Sequence, residues 1–277
     1  MATNQAESQR WNDEHWTRVW PKRERLTGAV TGHLLSTLDL RPAERVLDVG
    51  CGGGKTTLHA AQAVGPDGYA LGADFSAPLL RLAEQRAQAS SQKNVAFHVA
   101  DVQRASLPDG PFDVAMSQFG VMFFDEPVAA FANIGSHLRP GGRIAFACWQ
   151  ELERNPWFFA PVIAAFIPPP ASPPPGKHAT GPFALSDPAR TARILSSAGY
   201  GEVERATYEI EVDVPTDAVV DDAQLSFMGV APDRHEEAMA VVEQHMERFR
   251  LDDSTSRIPL AFQIFTASCC AEGPPGP

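Results

Sequence analysis

The sequence predicts an α/β fold: a doubly wound, mostly parallel, seven-stranded sheet with helices on both faces. Three observations predict it. Short apolar runs alternate with helix-like ones from Val46 to Trp149, which is the pattern of βαβ units. A glycine turn, Gly50-Cys51-Gly52-Gly53-Gly54, separates the first run from the first helix of that series. Acidic residues, Asp74 and Asp101, close the next two runs. Crossovers between parallel strands are expected to be right-handed.

Composition narrows the partners. The 277 residues are 44% hydrophobic, which suits a globular chain. Formal net charge is −11, so no basic face is expected to neutralise nucleic-acid phosphates. No apolar run approaches the ~20 residues of a membrane span, and the polar N-terminus carries no signal-peptide core. Cys51, Cys148, Cys269 and Cys270 form neither a disulfide framework nor a CxxC metal spacing. A cytoplasmic location, no metal and no membrane partner are expected. Oligomeric state is open.

The elements follow in order. Met1 to Arg10 is polar and expected to fray. Trp11, Trp16 and Trp20 recur within ten residues, with His15 among them. They staple an arm to the core or wall a lid over a ligand, two compatible readings. Leu26, Val30, Leu34, Leu35 and Leu38 predict a helix from Lys22 to Leu40. Val46 to Val49 is the first strand and Lys55 to Val64 a helix, stopped by the Gly65-Pro66-Asp67-Gly68 turn. Tyr69 to Ala73 is the second strand, with Asp74 at its tip. Ser76 to Ser90 is an amphipathic helix, and Val95 to Ala100 the third strand. Phe112 to Gln118 is the fourth, followed by Phe119-Gly120-Val121-Met122-Phe123-Phe124. Pro127 to Leu138 is a helix ended by Arg139-Pro140-Gly141-Gly142, and Arg143 to Trp149 the fifth strand. Asn155 to Ile167 is expected to be a short helix, and residues 168–176 a stiff proline-rich connector. Asp187 to Ala198 is a further helix. Glu202 to Val214 alternates polar and apolar, as a strand near the sheet edge does. Pro232 to Leu251 is helical, Leu260 to Ser268 the last strand, and Glu272 to Pro277 a disordered tail.

A strand, a glycine turn and a helix N-terminus invite a nucleotide-like ligand. Spacing discriminates among ligand classes. A dinucleotide fingerprint would place its third glycine at Lys55, and a P-loop read back from Gly54-Lys55-Thr56 would place its first at Val49. Asp48, Gly50, Gly52 and Gly54 instead fit an acidic residue followed by G-x-G-x-G. This segment resembles the first motif of class I S-adenosylmethionine (SAM)-dependent methyltransferases, and the Leu-Arg-Pro-Gly-Gly turn before the fifth strand resembles the same family.

The resemblance covers about residues 41–150. It implies a SAM-binding core there, an N-terminal lid over residues 1–40, and cap segments with the rest of the sheet over 151–277. The last strand would be antiparallel, inserted between the fifth and sixth. Asp48 would face the donor's ammonium, directly or through water, with the backbone of Gly50, Cys51 and Gly52 beside it. Asp74, which lies 24 residues beyond Gly50, would hold the ribose, with Phe75 adjoining. Asp101 and Val102 would meet the adenine, and Ser117 and Gln118 would lie near the methyl group.

Trp16, Trp20, Phe119, Met122 and Trp149 would wall the pocket of a small-molecule acceptor. S-adenosylhomocysteine (SAH) would be the product. His15, Gln118 and His178 are the weak candidates for a catalytic role. Two other classes remain open: a SAM-fold protein that transfers no methyl group, and a P-loop-like nucleotide hydrolase.

Overall fold

The computed structural model describes residues 5–168, 180–219, 225–226 and 228–269. His178, nearly all of the proline-rich stretch and the C-terminal tail lie outside them. Seven strands form one sheet in the order β3-β2-β1-β4-β5-β7-β6. They are β1 (Arg45–Val49), β2 (Tyr69–Asp74), β3 (Val95–Val99), β4 (Phe112–Gln118), β5 (Leu138–Trp149), β6 (Tyr200–Pro215) and β7 (Thr255–Cys269). The first five run parallel, and β7 is antiparallel to both β5 and β6.

Each element has a local cause. β1, β2 and β4 are apolar and almost wholly buried, as strands covered on both faces must be. β6 is the sheet edge, and its exposed residues alternate with partly buried ones. α3 (Lys55–Val64) starts directly on the glycine turn. α4 (Ala77–Ser90) is capped by Ser76, whose side chain accepts a hydrogen bond from the Leu79 N–H. α6 (Pro188–Ser197) is capped by Asp187 in the same way, with Pro188 in its first turn. The chain winds from β1 outward to β3, then returns to β4 and builds the other half. That reversal puts the switch point between β1 and β4, where α/β sheets bind ligands.

Several boundaries depart from expectation: β7 starts five residues before Leu260 and β6 two before Glu202. Residues Gln5–Trp11 form a helix, α1, rather than a frayed arm. The next helix, α2, begins at His15 and runs to Leu38, with Pro21 inside it. A proline there removes one hydrogen bond, but burial of Trp16 and Val19 on the same segment outweighs that loss. α5 (Pro127–Ser136) is followed at once by β5, which runs through the Arg-Pro-Gly-Gly turn with a register shift. Residues 155–167 are a chain of turns, not a helix, because Pro156 and Pro161 interrupt the backbone donors. Pro232 to Leu251 holds one helix, His235–Met246, flanked by short 3-10 turns.

The main core lies between sheet and helices. Leu26, Val30, Leu34 and Leu38 of α2 join it, together with Phe112, Phe131, Phe146, Phe262 and Phe265. No described helix is long and apolar enough to cross a membrane.

Candidate functional site

A cleft opens at the carboxyl ends of β1, β2 and β4, roofed by α1 and α2. Its empty space is about 1290 Å³ with the open mouth included.

Its floor depends on a close approach of two glycines. Gly50 has φ +68, and a Cβ there would stand 2.8 Å from the Gly120 Cα. The tips of β1 and β4 therefore meet backbone to backbone. Ser117 ties the same point: its hydroxyl donates to the Val49 carbonyl at 2.7 Å and accepts from the Gly120 N–H at 3.2 Å. Gly52, with φ +53, lies directly under Trp20, whose ring a Cβ would meet at 2.2 Å.

Asp74 stands at the β2 tip on the cleft wall. One oxygen accepts from the Gly52 N–H and the other from the Ser76 N–H, both at 2.8 Å. Burial raises its pKa, and those backbone donors partly offset this. A carboxylate has about four acceptor positions, so these bonds leave two for a ligand diol. Asp101, Val102 and Phe75 also line the cleft. The Gln103 N–H donates to Asp101 at 3.1 Å.

Asp48 is fully buried behind this wall rather than on it. Its Oδ2 accepts from the Thr56 and Thr57 hydroxyls at 2.5 and 2.7 Å. Its Oδ1 has no partner. Burial pushes its pKa up to about 6, against the two threonine hydrogen bonds and with a smaller push from the Asp74 charge. The folded pKa thus exceeds the unfolded value of ~3.9. Between about pH 4 and pH 6 the folded chain holds the proton more firmly, so this group's contribution to stability falls as pH rises. The thermal midpoint of ligand-free Asp48→Asn should therefore gain on the parent from about pH 4 to about pH 6, then level off. A gap independent of pH would contradict the buried-acid assignment.

The roof is cross-linked to the floor. The Ser76 hydroxyl donates to the Trp11 carbonyl at 2.6 Å, and Asn12 bonds Phe75 and Ala77 across the same turn. Glu24 takes both guanidinium nitrogens of Arg86 at 2.7 and 2.8 Å and the Trp20 N–H at 2.8 Å. Arg86 also reaches the Gly53 carbonyl at 2.7 Å. Gln118 accepts from the Thr31 hydroxyl at 2.8 Å and donates to the Thr27 carbonyl at 3.3 Å.

The other half of the cleft is apolar, lined by Phe119, Met122, Phe123, Phe124, Trp149 and Pro182. Phe119 stacks on Trp149 at 4.0 Å between centroids. It has φ +67, a conformation that costs a bulky residue energy and that fixes its ring on this wall.

Among the expected site residues, Gly50, Cys51, Asp74, Phe75, Asp101, Val102, Gln118, Trp20, Phe119, Met122 and Trp149 line the cleft. Asp48, Gly52 and Ser117 stand behind it and hold its shape. Trp16 is buried against Val19 and Leu79, stacked on Trp11. His15 lines a small separate pocket with Trp16 and Asp217, so neither reaches the main cleft wall. Burial chiefly pushes the Cys51 thiol up, with the Asp74 and Asp48 charges adding to it, which leaves a neutral sulfhydryl.

Sequence reasoning missed Arg23, Glu24, Thr27, Gly28, Thr31 and Lys55, which all line the cleft, and named Trp11 only among the tryptophans of a staple or lid. A signal existed. Arg23, Thr27 and Thr31 recur every four residues, a polar stripe on one helix face.

Known proteins resemble this chain in sequence and in fold. A family model described as a methyltransferase domain matches residues 46–142. Nocamycin O-methyltransferase of Saccharothrix syringae is 29% identical over 68% of this chain and 70% of its own. Aklanonic acid methyltransferase of a Streptomyces strain is 36% identical over 37% of this chain and 47% of its own. The YcgJ protein of Bacillus subtilis shares the fold, with a TM-score of 0.58 at 17% identity, covering 87% of this chain and 97% of its own.

Residues 46–142 carry the likeness to a methyltransferase domain. SAM, the cofactor of such domains, fits the cleft on two observations: Asp74 keeps acceptor positions at a strand tip, and Asp48 behind the wall has a buried Oδ1 with no partner. The matched segment runs from β1 into the turn within β5.

Proposed function

We propose that this chain transfers the methyl group of SAM to a small, flat, largely apolar acceptor. The observation that carries the reading is the division of one cleft at the Gly50–Gly120 contact. Acidic strand tips lie on one side, and an aromatic wall lies on the other. The adenosyl part would lie along Asp74, Phe75, Asp101 and Val102. The methionyl end would pass Gly50 and Cys51. Its carboxylate would face the N-terminus of α3 and the exposed ammonium of Lys55, which borders the cleft. Asp48 would balance the donor's ammonium from behind the wall.

SAM supplies an activated methyl group on a sulfonium. The chain's part is to orient the acceptor in line with it and keep water out. Phe119 and Trp149 would stack the acceptor, and the tryptophan roof would cover it. The relatives named for nocamycin and aklanonic acid support a small acceptor of this kind. A reducing cytoplasm suits the buried thiols of Cys51 and Cys148.

The test is twofold. Calorimetry should detect SAM and SAH binding, and SAH should accumulate when a panel of flat phenols and aromatic acids is supplied with SAM. Binding without product would leave a SAM-fold protein that transfers no methyl group. A folded chain that takes up neither compound would end the proposal.

A further inference from the structure

Arg23 is the unused group in the cleft. It lies on α2 and is half-buried, on the wall of both the main cleft and the small pocket that contains Asp217 and Ala218. Neighbouring cations are matched: Lys22 pairs with Asp217 at 3.0 Å, and Arg86 with Glu24 at 2.7 Å. No carboxylate among the described residues pairs with Arg23. Its side-chain contact is the ring of Trp16, 5.2 Å from the guanidinium carbon. Burial lowers its pKa to about 10.

Placement says which ligand it serves. Asp217 and Ala218 belong to the 3-10 turn after β6, beyond β5 in the sheet. The acids of the donor side, Asp74 at the end of β2 and Asp101 just past β3, stand across the switch point. The donor's carboxylate already has Lys55 and the start of α3. A planar guanidinium bonds a carboxylate or an ionised enol through two parallel N–H groups. On the reading of the cleft given above, we infer that Arg23 recognises an acidic group on the acceptor, which is therefore an anionic aromatic compound.

The experiment uses the full chain saturated with SAH, titrated with 2-naphthoate and separately with 2-naphthamide. The acid should bind about tenfold more tightly or better, Arg23→Gln should abolish that preference, and Arg23→Lys should keep part of it. SAH affinity should stay within about threefold in both variants, since Arg23 is assigned to the acceptor, with melting curves confirming the fold. Equal binding of acid and amide, no measurable binding of the acid, or a preference that survives in Arg23→Gln would overturn the inference. A tenfold loss of SAH affinity in Arg23→Gln would overturn it too, by assigning the guanidinium to the donor. If the parent chain fails to take up SAH, the proposed function falls and this inference falls with it. If SAH binds without an acid preference, only this inference falls.

Discussion

Asp74→Asn is expected to weaken SAH binding about 100-fold while the protein still folds. The carboxylate spends one acceptor position per oxygen on the Gly52 and Ser76 N–H groups. Two remain for the ribose hydroxyls. An amide replaces one oxygen with a donor, so in either orientation an N–H group meets an N–H group. The ribose loses one acceptor outright and the charge on the other. Hydrogen bonds to a charged group contribute about 1.5–3 kcal/mol each, so a net loss of about 3 kcal/mol corresponds to about 100-fold. Calorimetry with SAH measures it directly. Parent-like affinity would remove Asp74 from the ribose site.

The donor half of this picture was legible in the sequence, and the roof was not. Lys55–Val64 and Phe112–Gln118 are found where expected, because glycine turns and apolar runs act locally. Asp74 and Asp101 sit on the cleft because strand tips must. The antiparallel β7 came from family likeness, since nothing in an apolar run states its direction. Arg23 and Glu24 were invisible because their role comes from a helix laid across distant strand ends. Trp16 and Trp11 exchanged roles for a related reason. Both are aromatic, and only packing decides which ring faces Leu79 and which faces the cleft. The expected helix at 155–167 failed on its prolines, a local signal that apolar content obscured.

Gly50→Ala is expected to be strongly destabilising. A left-handed alanine costs about 1–2 kcal/mol, and its methyl group would stand 2.8 Å from the Gly120 Cα. Backbone cannot step aside as a flexible side chain can, so overpacking adds about 1–3 kcal/mol. The sum is a large part of the ~5–15 kcal/mol that holds a domain together. At about 2–4 °C per kcal/mol for a chain of this size, the midpoint should drop by about 10 °C. Gly141→Ala is the control. It has φ +73 with nothing within 4 Å, so only the backbone cost applies and the drop should be a few degrees. Equal drops would mean that the β1 and β4 tips are not in contact.

Phe119, Met122 and Phe123 stand just past the end of β4, and Trp11 and Arg23 come from helices above the sheet. Apart from the Phe119 N–H, which bonds the Ala147 carbonyl of β5 at 3.0 Å, their backbones lie outside the paired strands. Lineages of this protein could therefore exchange one acceptor for another by drifting in these segments, leaving the chemistry of the methyl source and the folding nucleus untouched.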